Sequence, residues 1–282
     1  MTEPKTIADD IGPTAISAYF VRDEGCYVPT AIARGGWGPT ISGHVVGGLL
    51  AWAVERAVDD PQLHPARLTV DLPAPTALEP VELHTCVHHD RRRLRLVEAV
   101  LIQRGAAVAR GSALFLRRGQ QPDGDVWSPP VQMPPLPIEQ NGNHPSLFIR
   151  TYGWGAGVQN PDPEWDDDAS GPKYTWLEET RPLVDTEPMS AFTRAAMAGD
   201  VTASIANWGS RALQFINVDY TLTLSRLPVG PHIGLASLTH YSNDGIATGS
   251  AVLVDHSGPV GTGMSVSLAH SGFRPPSAMP PT

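Results

Sequence analysis

The strongest constraint on the fold is a pair of sequence segments, each of which occurs twice in the chain. Residues 68–75 (LTVDLPAP) resemble residues 216–223 (INVDYTLT). Further along, residues 105–116 (GAAVARGSALFL) resemble residues 258–268 (GPVGTGMSVSL) once a one-residue gap is allowed. In both cases the copies lie roughly 150 residues apart and in the same order, so the sequence predicts an internal duplication.

A long apolar segment precedes each copy at the same offset. The first spans residues 41–57 (ISGHVVGGLLAWAVERA) and the second spans residues 187–207 (EPMSAFTRAAMAGDVTASIAN). The first is apolar on nearly every side and carries small residues at Gly43, Gly47 and Gly48. A helix that is hydrophobic all round must be buried all round. We therefore predict two tandem units, each with one long buried helix wrapped by an antiparallel sheet.

Three strands joined by tight turns are predicted after each helix, and apolar–polar alternation is good in RLRLVEAVLI. The strands are VELHTCVHH, RLRLVEAVLIQ and AVARGSALFLRR in the first unit, and IGLASLTHYS, IATGSAVLVDH and VGTGMSVSLA in the second. Residues 119–145 are dense in proline and polar residues and are predicted to link an N-terminal unit, 1–118, to a C-terminal unit, 146–270. Residues 271–282 are predicted to form a disordered tail.

Composition and charge exclude several classes of protein. The net charge of the 282 residues is −9, which argues against a nucleic-acid partner or a general membrane-surface role. No stretch approaches the roughly 18 apolar residues of a membrane span, and residues 1–14 do not resemble a signal peptide. Cys26 and Cys86 form no C-x-x-C motif, so we expect a cytoplasmic protein with reduced thiols. No cofactor or metal site is expected, since His88 and His89 point to opposite faces of a strand.

Asp200 is the anomalous residue of the second helix. Its neighbours three and four residues away are Ala196, Met197, Ala203 and Ser204, so no cation lies within helical reach. An unpaired carboxylate on an apolar helix costs free energy. Two interpretations remain open: a functional carboxylate, or a cap or kink residue that restarts the helix after Gly199.

Together these features resemble the TesB-type acyl-CoA thioesterases over roughly residues 19–269. SGHVVGGLL resembles the glycine-rich helix start of that family, and RRRLRLVEAVLIQRGAAVARGSALF resembles its paired late strands. RAAMAGD, INVDY and VGTGMS are similar to the three catalytic neighbourhoods of its second unit. The resemblance implies an α+β double hotdog fold and hydrolysis of acyl-CoA to a free fatty acid and CoA.

The resemblance also implies catalytic residues. In that family a helix Asp, a Thr two residues before a strand Asp, and a Gln on the last strand activate a water. The helix Asp corresponds to Asp200, the Thr position is Asn217, and the Gln position is the shorter Ser265. We expect burial to raise the pKa of Asp200 and hydrogen bonds from Asn217 and Ser265 to oppose that rise. Polar strand residues of ordinary structural function are the alternative for Asn217 and Ser265.

Four further residues are predicted to bind substrate. The Gly43–His44 peptide at the first helix start is the expected oxyanion site, because backbone N–H groups there favour negative charge. His44 is equally compatible with a hydrogen-bonded helix-start residue. Arg91 and Arg92 belong to the densest positive segment of the chain and could clamp the phosphates of coenzyme A. An ordinary solvated β-turn is the alternative for that segment.

Two other functions are compatible with the sequence. A hotdog hydratase or dehydratase is one, although residues 59–64 (DDPQLH) lack the Asn of the D-x-N-P-x-H signature. A non-catalytic acyl-CoA-binding protein is the other, because Ser265 replaces the family Gln. Sheet edges and faces also make a homodimer or a higher homo-oligomer possible.

Overall fold

The computed structural model describes residues 18–136, 147–153, 171–185 and 187–274. The N-terminal half contains a long helix and six strands: β1 (Phe20–Asp23), β2 (Cys26–Pro29), α1 (Gly43–Val58), β3 (Leu63–Asp71), β4 (Glu82–Arg91), β5 (Leu94–Gln103) and β6 (Ala106–Arg117). The C-terminal half repeats the order of two strands, one helix and further strands: β7 (Leu147–Tyr152), β8 (Tyr174–Glu179), α2 (Ala191–Asn207), β9 (Phe215–Asn217), β10 (Asp219–Leu224), β11 (Ile233–Asn243), β12 (Ile246–Asp255) and β13 (Gly258–Ala269).

One antiparallel sheet runs through both halves in the order β4-β5-β6-β3-β10-β13-β12-β11-β8-β7, with β9 paired to β13 and β1 paired only to β2. The halves meet where β3 pairs with β10. Asp71 lies opposite Asp219 in that register, and these are the two aspartates that the repeat aligned. All six strands predicted after the two helices are present, as β4, β5 and β6 in the first half and β11, β12 and β13 in the second.

Both helices lie on the inner side of this sheet and contact each other. α1 packs against β3–β6 and α2 against β8–β13. Small residues let α1 approach its neighbours closely. A Cβ at Gly47 would overlap the hydroxyl of Tyr220 on β10, and one at Gly48 would lie 2.6 Å from Cγ of Met197 on α2. The buried core is therefore continuous across the two halves. Neither helix of the described chain is long and apolar enough to cross a membrane.

The predicted linker and tail are partly packed. Trp176 Nε1 donates a hydrogen bond of 2.8 Å to the carbonyl of Pro134, and Met133 packs beside it. At the other end, the Phe273 ring lies 5.1 Å from the Trp37 ring and 5.4 Å from the Trp208 ring. Residues 271–274 thus make defined contacts through the half-buried Phe273 ring, and the disordered tail stays a prediction. Residues 137–146 and 275–282 lie outside the described part of the chain.

Candidate active site

Asp200 lies where α2 passes the start of α1. The helix is continuous from Ala191 to Asn207, so the interpretation of Asp200 as a cap or kink residue is wrong. A Cβ at Gly43 would lie 2.7 Å from Oδ1 of Asp200. The glycine therefore lets the carboxyl group lie directly against the N-terminus of α1, where the partial positive charge of the helix favours an anion.

Asn217 is the hydrogen-bond partner of this carboxyl group. Its Nδ2 donates to Oδ1 of Asp200 over 2.8 Å, which brings two residues from the sequence prediction together. Burial raises the pKa of Asp200 to about 6, and the hydrogen bond from Asn217 opposes the rise. A carboxyl group with that pKa is mostly ionised near pH 7 and still basic enough to accept a proton.

Ser265 does not join this pair. Its side chain is buried on β13, and its hydroxyl has no hydrogen-bond partner among the described residues. The expected hydrogen bond from Ser265 to Asp200 is therefore absent. Ser267 is the residue opposite Asn217 across the β9–β13 pairing, and its hydroxyl accepts a hydrogen bond of 3.0 Å from Asn207.

The start of α1 leaves two backbone donors free beside Asp200. Ser42 occupies the capping position, but its hydroxyl makes no cap hydrogen bond. The N–H groups of Val45 and Val46 donate to the Ser42 carbonyl. In the described part of the chain, no acceptor binds the N–H of Gly43 or His44. These two groups have the position and polarity that an oxyanion site requires.

The side chain of His44 belongs to a buried polar cluster, which we define as Ser42, His44, Glu179 and Tyr19. His44 Nδ1 pairs with the Ser42 hydroxyl at 2.7 Å. Its Nε2 faces Oε1 of Glu179 at 3.6 Å, and the Tyr19 hydroxyl donates to the other Glu179 oxygen over 2.8 Å. The side chain of His44 is thus hydrogen-bonded at the start of the helix, as the second of the two interpretations of this residue predicted.

Glu179 and His44 of the buried cluster are both neutral near pH 7. Burial raises the pKa of Glu179 to about 8, although the hydrogen bond from Tyr19 opposes the rise. Burial lowers the pKa of His44 to about 4. Glu179 was not predicted as a site residue, because it ends an ordinary strand and only its long-range partners distinguish it from Glu178.

Arg91 and Arg92 lie away from Asp200. Both are exposed in the hairpin between β4 and β5. The neighbouring Arg95 donates to the carbonyl of Val58, the last residue of α1. The hairpin is therefore near the C-terminal end of α1, about 22 Å along that helix from Gly43. The structure does not bring these arginines to the other predicted residues.

A cavity of 520 Å³ lies at the C-terminal end of α2. Its lining includes Asn207, and the Asn207 side-chain oxygen pairs with His240 Nδ1 at 2.8 Å. Apolar lining residues include Ile205, Trp208, Phe215 and Leu238. The cavity is about 10 Å along the helix from Asp200, so it offers space for part of a substrate. No group of three or more His, Cys, Asp or Glu side chains within the described ranges has the arrangement of a metal site.

Residues 33–116 match the family model described as the acyl-CoA thioesterase N-terminal domain. This segment contains α1 and β3–β6. No curated protein sequence matches the chain significantly.

Several solved structures resemble the whole chain. The tesB protein MAP1729c of Mycobacterium avium subsp. paratuberculosis is 14% identical, with 89% of this chain and 93% of that chain covered and a TM-score of 0.62. The acyl-CoA thioesterase II TesB2 of Mycobacterium marinum is 18% identical, with 95% and 97% covered and a TM-score of 0.60. A conserved protein with a hot dog fold from Alicyclobacillus acidocaldarius is 15% identical, with 91% and 96% covered and a TM-score of 0.63.

These similarities define the class of protein as one with the hotdog fold. The predicted resemblance to TesB-type acyl-CoA thioesterases is confirmed by the match at residues 33–116 together with the TesB structures.

Proposed function

We propose that this protein is an acyl-CoA thioesterase that hydrolyses acyl-CoA to a free fatty acid and CoA with a carboxylate-activated water. The observation that carries the proposal is the Asp200–Asn217 pair, with its 2.8 Å hydrogen bond, against the free N–H groups at the start of α1. The domain match at residues 33–116 supports the substrate class. The chain would then be a double hotdog, with α1 central to the first unit and α2 to the second.

The proposed reaction places each group in one role. Asp200 accepts a proton from a water, and Asn217 orients the carboxylate through its hydrogen bond. The water attacks the thioester carbonyl carbon, and the developing oxyanion binds the N–H groups of Gly43 and His44. When the C–S bond breaks, the thiolate of CoA leaves and takes up the proton that Asp200 accepted, which regenerates the carboxylate. The cavity at the end of α2 is our candidate for the acyl chain.

A steady-state assay of thiol release over acyl-CoA substrates of several chain lengths tests this proposal. A thioesterase releases one CoA thiol for each acid formed. A hydratase instead adds water to crotonyl-CoA without releasing thiol, and a non-catalytic binding protein binds acyl-CoA without turnover. Either of those two results would contradict the proposal. In the binding case, Ser265→Gln would restore the length of the family side chain and could raise activity.

The pH dependence of hydrolysis follows from the state of Asp200. Because burial raises the pKa of this carboxyl group to about 6, it loses its basic form as the pH falls through that value. We expect kcat/KM to fall about tenfold for each pH unit below 6. Thiol release measured between pH 4.5 and 8 checks this. A rate that stays constant down to pH 4.5 would exclude Asp200 as the base.

We further propose one working site in each chain. The first repeat has no acid at the position of Asp200 and aligns Trp52 near it, so we assign the base to Asp200 of the second unit. A cytoplasmic location and a homodimer or larger homo-oligomer remain expectations from the sequence.

Arg91 and Arg92 remain candidates for contact with the coenzyme A phosphates, which requires the coenzyme to extend along α1 toward its C-terminal end.

A further inference from the structure

The hydroxyl of Ser42 is diverted from its usual function. A serine at the capping position ordinarily accepts a hydrogen bond from the N–H of the second or third helical residue. Here those residues are His44 and Val45, and Val45 already donates to the Ser42 carbonyl. The N–H of His44 is therefore the natural partner of the hydroxyl. The hydroxyl instead pairs with the imidazole of His44 at 2.7 Å.

The imidazole is fixed in that position by its surroundings. Glu179 at the end of β8 faces its Nε2, and Glu179 is itself bound by Tyr19. The rings of Tyr19 and His44 also meet edge to face, with centroids 5.8 Å apart. The side chain of Glu179 is only 2% exposed, so water does not compete for these contacts.

We propose that His44 and Glu179 are positioning residues that hold the Ser42 hydroxyl away from α1 and so keep the first N–H groups of the helix available for the oxyanion. This inference rests on the proposed thioesterase function. It requires no contact between the two side chains and the substrate.

Glu179 must be uncharged for this arrangement to assist the reaction. A carboxylate there would place a second buried negative charge near the oxyanion, and like charges repel strongly where water is excluded. The titratable groups facing Glu179 are Tyr19, from the segment before β1, and His44 on α1. From α2, Asp200 lies against Gly43, whereas Arg194 interacts with Glu178.

The first test uses His44→Ala, which frees the Ser42 hydroxyl to cap the helix. We expect kcat to fall about 10- to 100-fold with little change in KM, because one oxyanion donor is typically worth 10²–10³ in rate. The double variant Ser42→Ala/His44→Ala removes the competing hydroxyl and should recover at least about tenfold of that loss. If the single variant keeps its activity, or the double variant recovers none, the proposal is wrong.

The same variants have a readout that does not depend on activity. Hydrogen exchange at the amide of residue 44 should slow about tenfold in His44→Ala, because a cap hydrogen bond protects that N–H. The amide should exchange rapidly again in the double variant. Unchanged exchange in all three proteins would contradict the capping argument even if no acyl-CoA is hydrolysed. Absence of thiol release with the expected exchange pattern would instead reject only the proposed function.

The second test is the alkaline limb of the pH profile. Wild-type kcat should fall above pH 8, where Glu179 ionises, and Glu179→Gln should keep its activity to about pH 9.5. The acidic limb near pH 6 should remain in both proteins because Asp200 is intact. The matched control is Glu178→Gln on the same strand, where Glu178 pairs with His232 at 3.2 Å. An alkaline limb that persists in Glu179→Gln, or one that disappears in the control, would overturn the proposal.

Discussion

Asp200→Asn is expected to lower kcat for acyl-CoA hydrolysis by about 10²–10⁴-fold, because the reaction loses its general base. The amide has the size of the carboxyl group and can still accept the hydrogen bond from Asn217. KM should therefore change little. Steady-state thiol release at pH 7.5, together with a circular dichroism spectrum of each protein, measures this.

The same variant should be more stable than the wild type above pH 6. The folded-state pKa of Asp200 is raised from 3.8 to about 6, so the protonated carboxyl favours folding and that contribution is lost as the pH rises through 6. The asparagine does not ionise, which makes it more stable by about 1–3 kcal/mol at pH 8 and by much less near pH 4. Urea unfolding of both proteins at pH 4 and pH 8 measures this difference in the free energy of unfolding and its sign.

Asp71→Asn is the matched control for this experiment. Asp71 is exposed on β3 and is the repeat counterpart of Asp219, not of Asp200. It should retain wild-type kcat and KM. Equal loss of activity in the two variants, or full activity in Asp200→Asn, would remove Asp200 from the mechanism.

Gly47→Ala is expected to lower the free energy of unfolding by about 2–4 kcal/mol. The added Cβ would overlap the Tyr220 hydroxyl, which is buried and donates to the carbonyl of Ala196 over 2.8 Å. Because the Tyr220 hydroxyl is bonded to α2, α1 would have to move away from α2. The free energy lost in this way exceeds the roughly 1 kcal/mol that alanine gains over glycine in a helix. Urea denaturation measures the difference.

Tyr220→Phe provides the second variant of a double-mutant cycle. Removing the hydroxyl relieves the overlap, so Gly47→Ala should cost at least about 1 kcal/mol less in the Tyr220→Phe background. Gly119→Ala is the control, since a Cβ at that position meets nothing within 4 Å. If the free-energy changes of the two substitutions are additive, the Tyr220 hydroxyl is not the group that excludes a Cβ at position 47.

Local patterns were sufficient for the elements of the fold. All six strands predicted after the two helices are present, and β5, β6 and β13 present one face to the core, which explains their period-two alternation. By contrast, β4 has no buried residue, and β11 is buried at its start and exposed at its end. The apolar circumference and small residues of the first helix predicted its burial against close neighbours, which Gly47 and Gly48 illustrate. The repeat aligned Asp71 with Asp219 as counterparts, and the structure shows in addition that they face each other where β3 pairs with β10.

The candidate site was only partly accessible to sequence reasoning. Asp200 stood out as an acid without a local partner, and the family resemblance led from it to Asn217, which the structure places 2.8 Å away. The same resemblance assigned Ser265, whose hydroxyl makes no hydrogen bond to Asp200. The sequence of a strand does not report which of its hydroxyl groups meets a neighbouring helix.

The sequence by itself determined which segments are buried and that one acid in α2 is out of place, because burial periodicity and composition are local properties of the chain. Only the tertiary structure decided which polar groups meet. Glu179 faces His44 from 135 positions away, and this contact diverts Ser42 from the helix that it would otherwise cap. Hydrogen bonds require atoms to approach within tenths of an ångström, and the packing of α1 against α2 sets that precision.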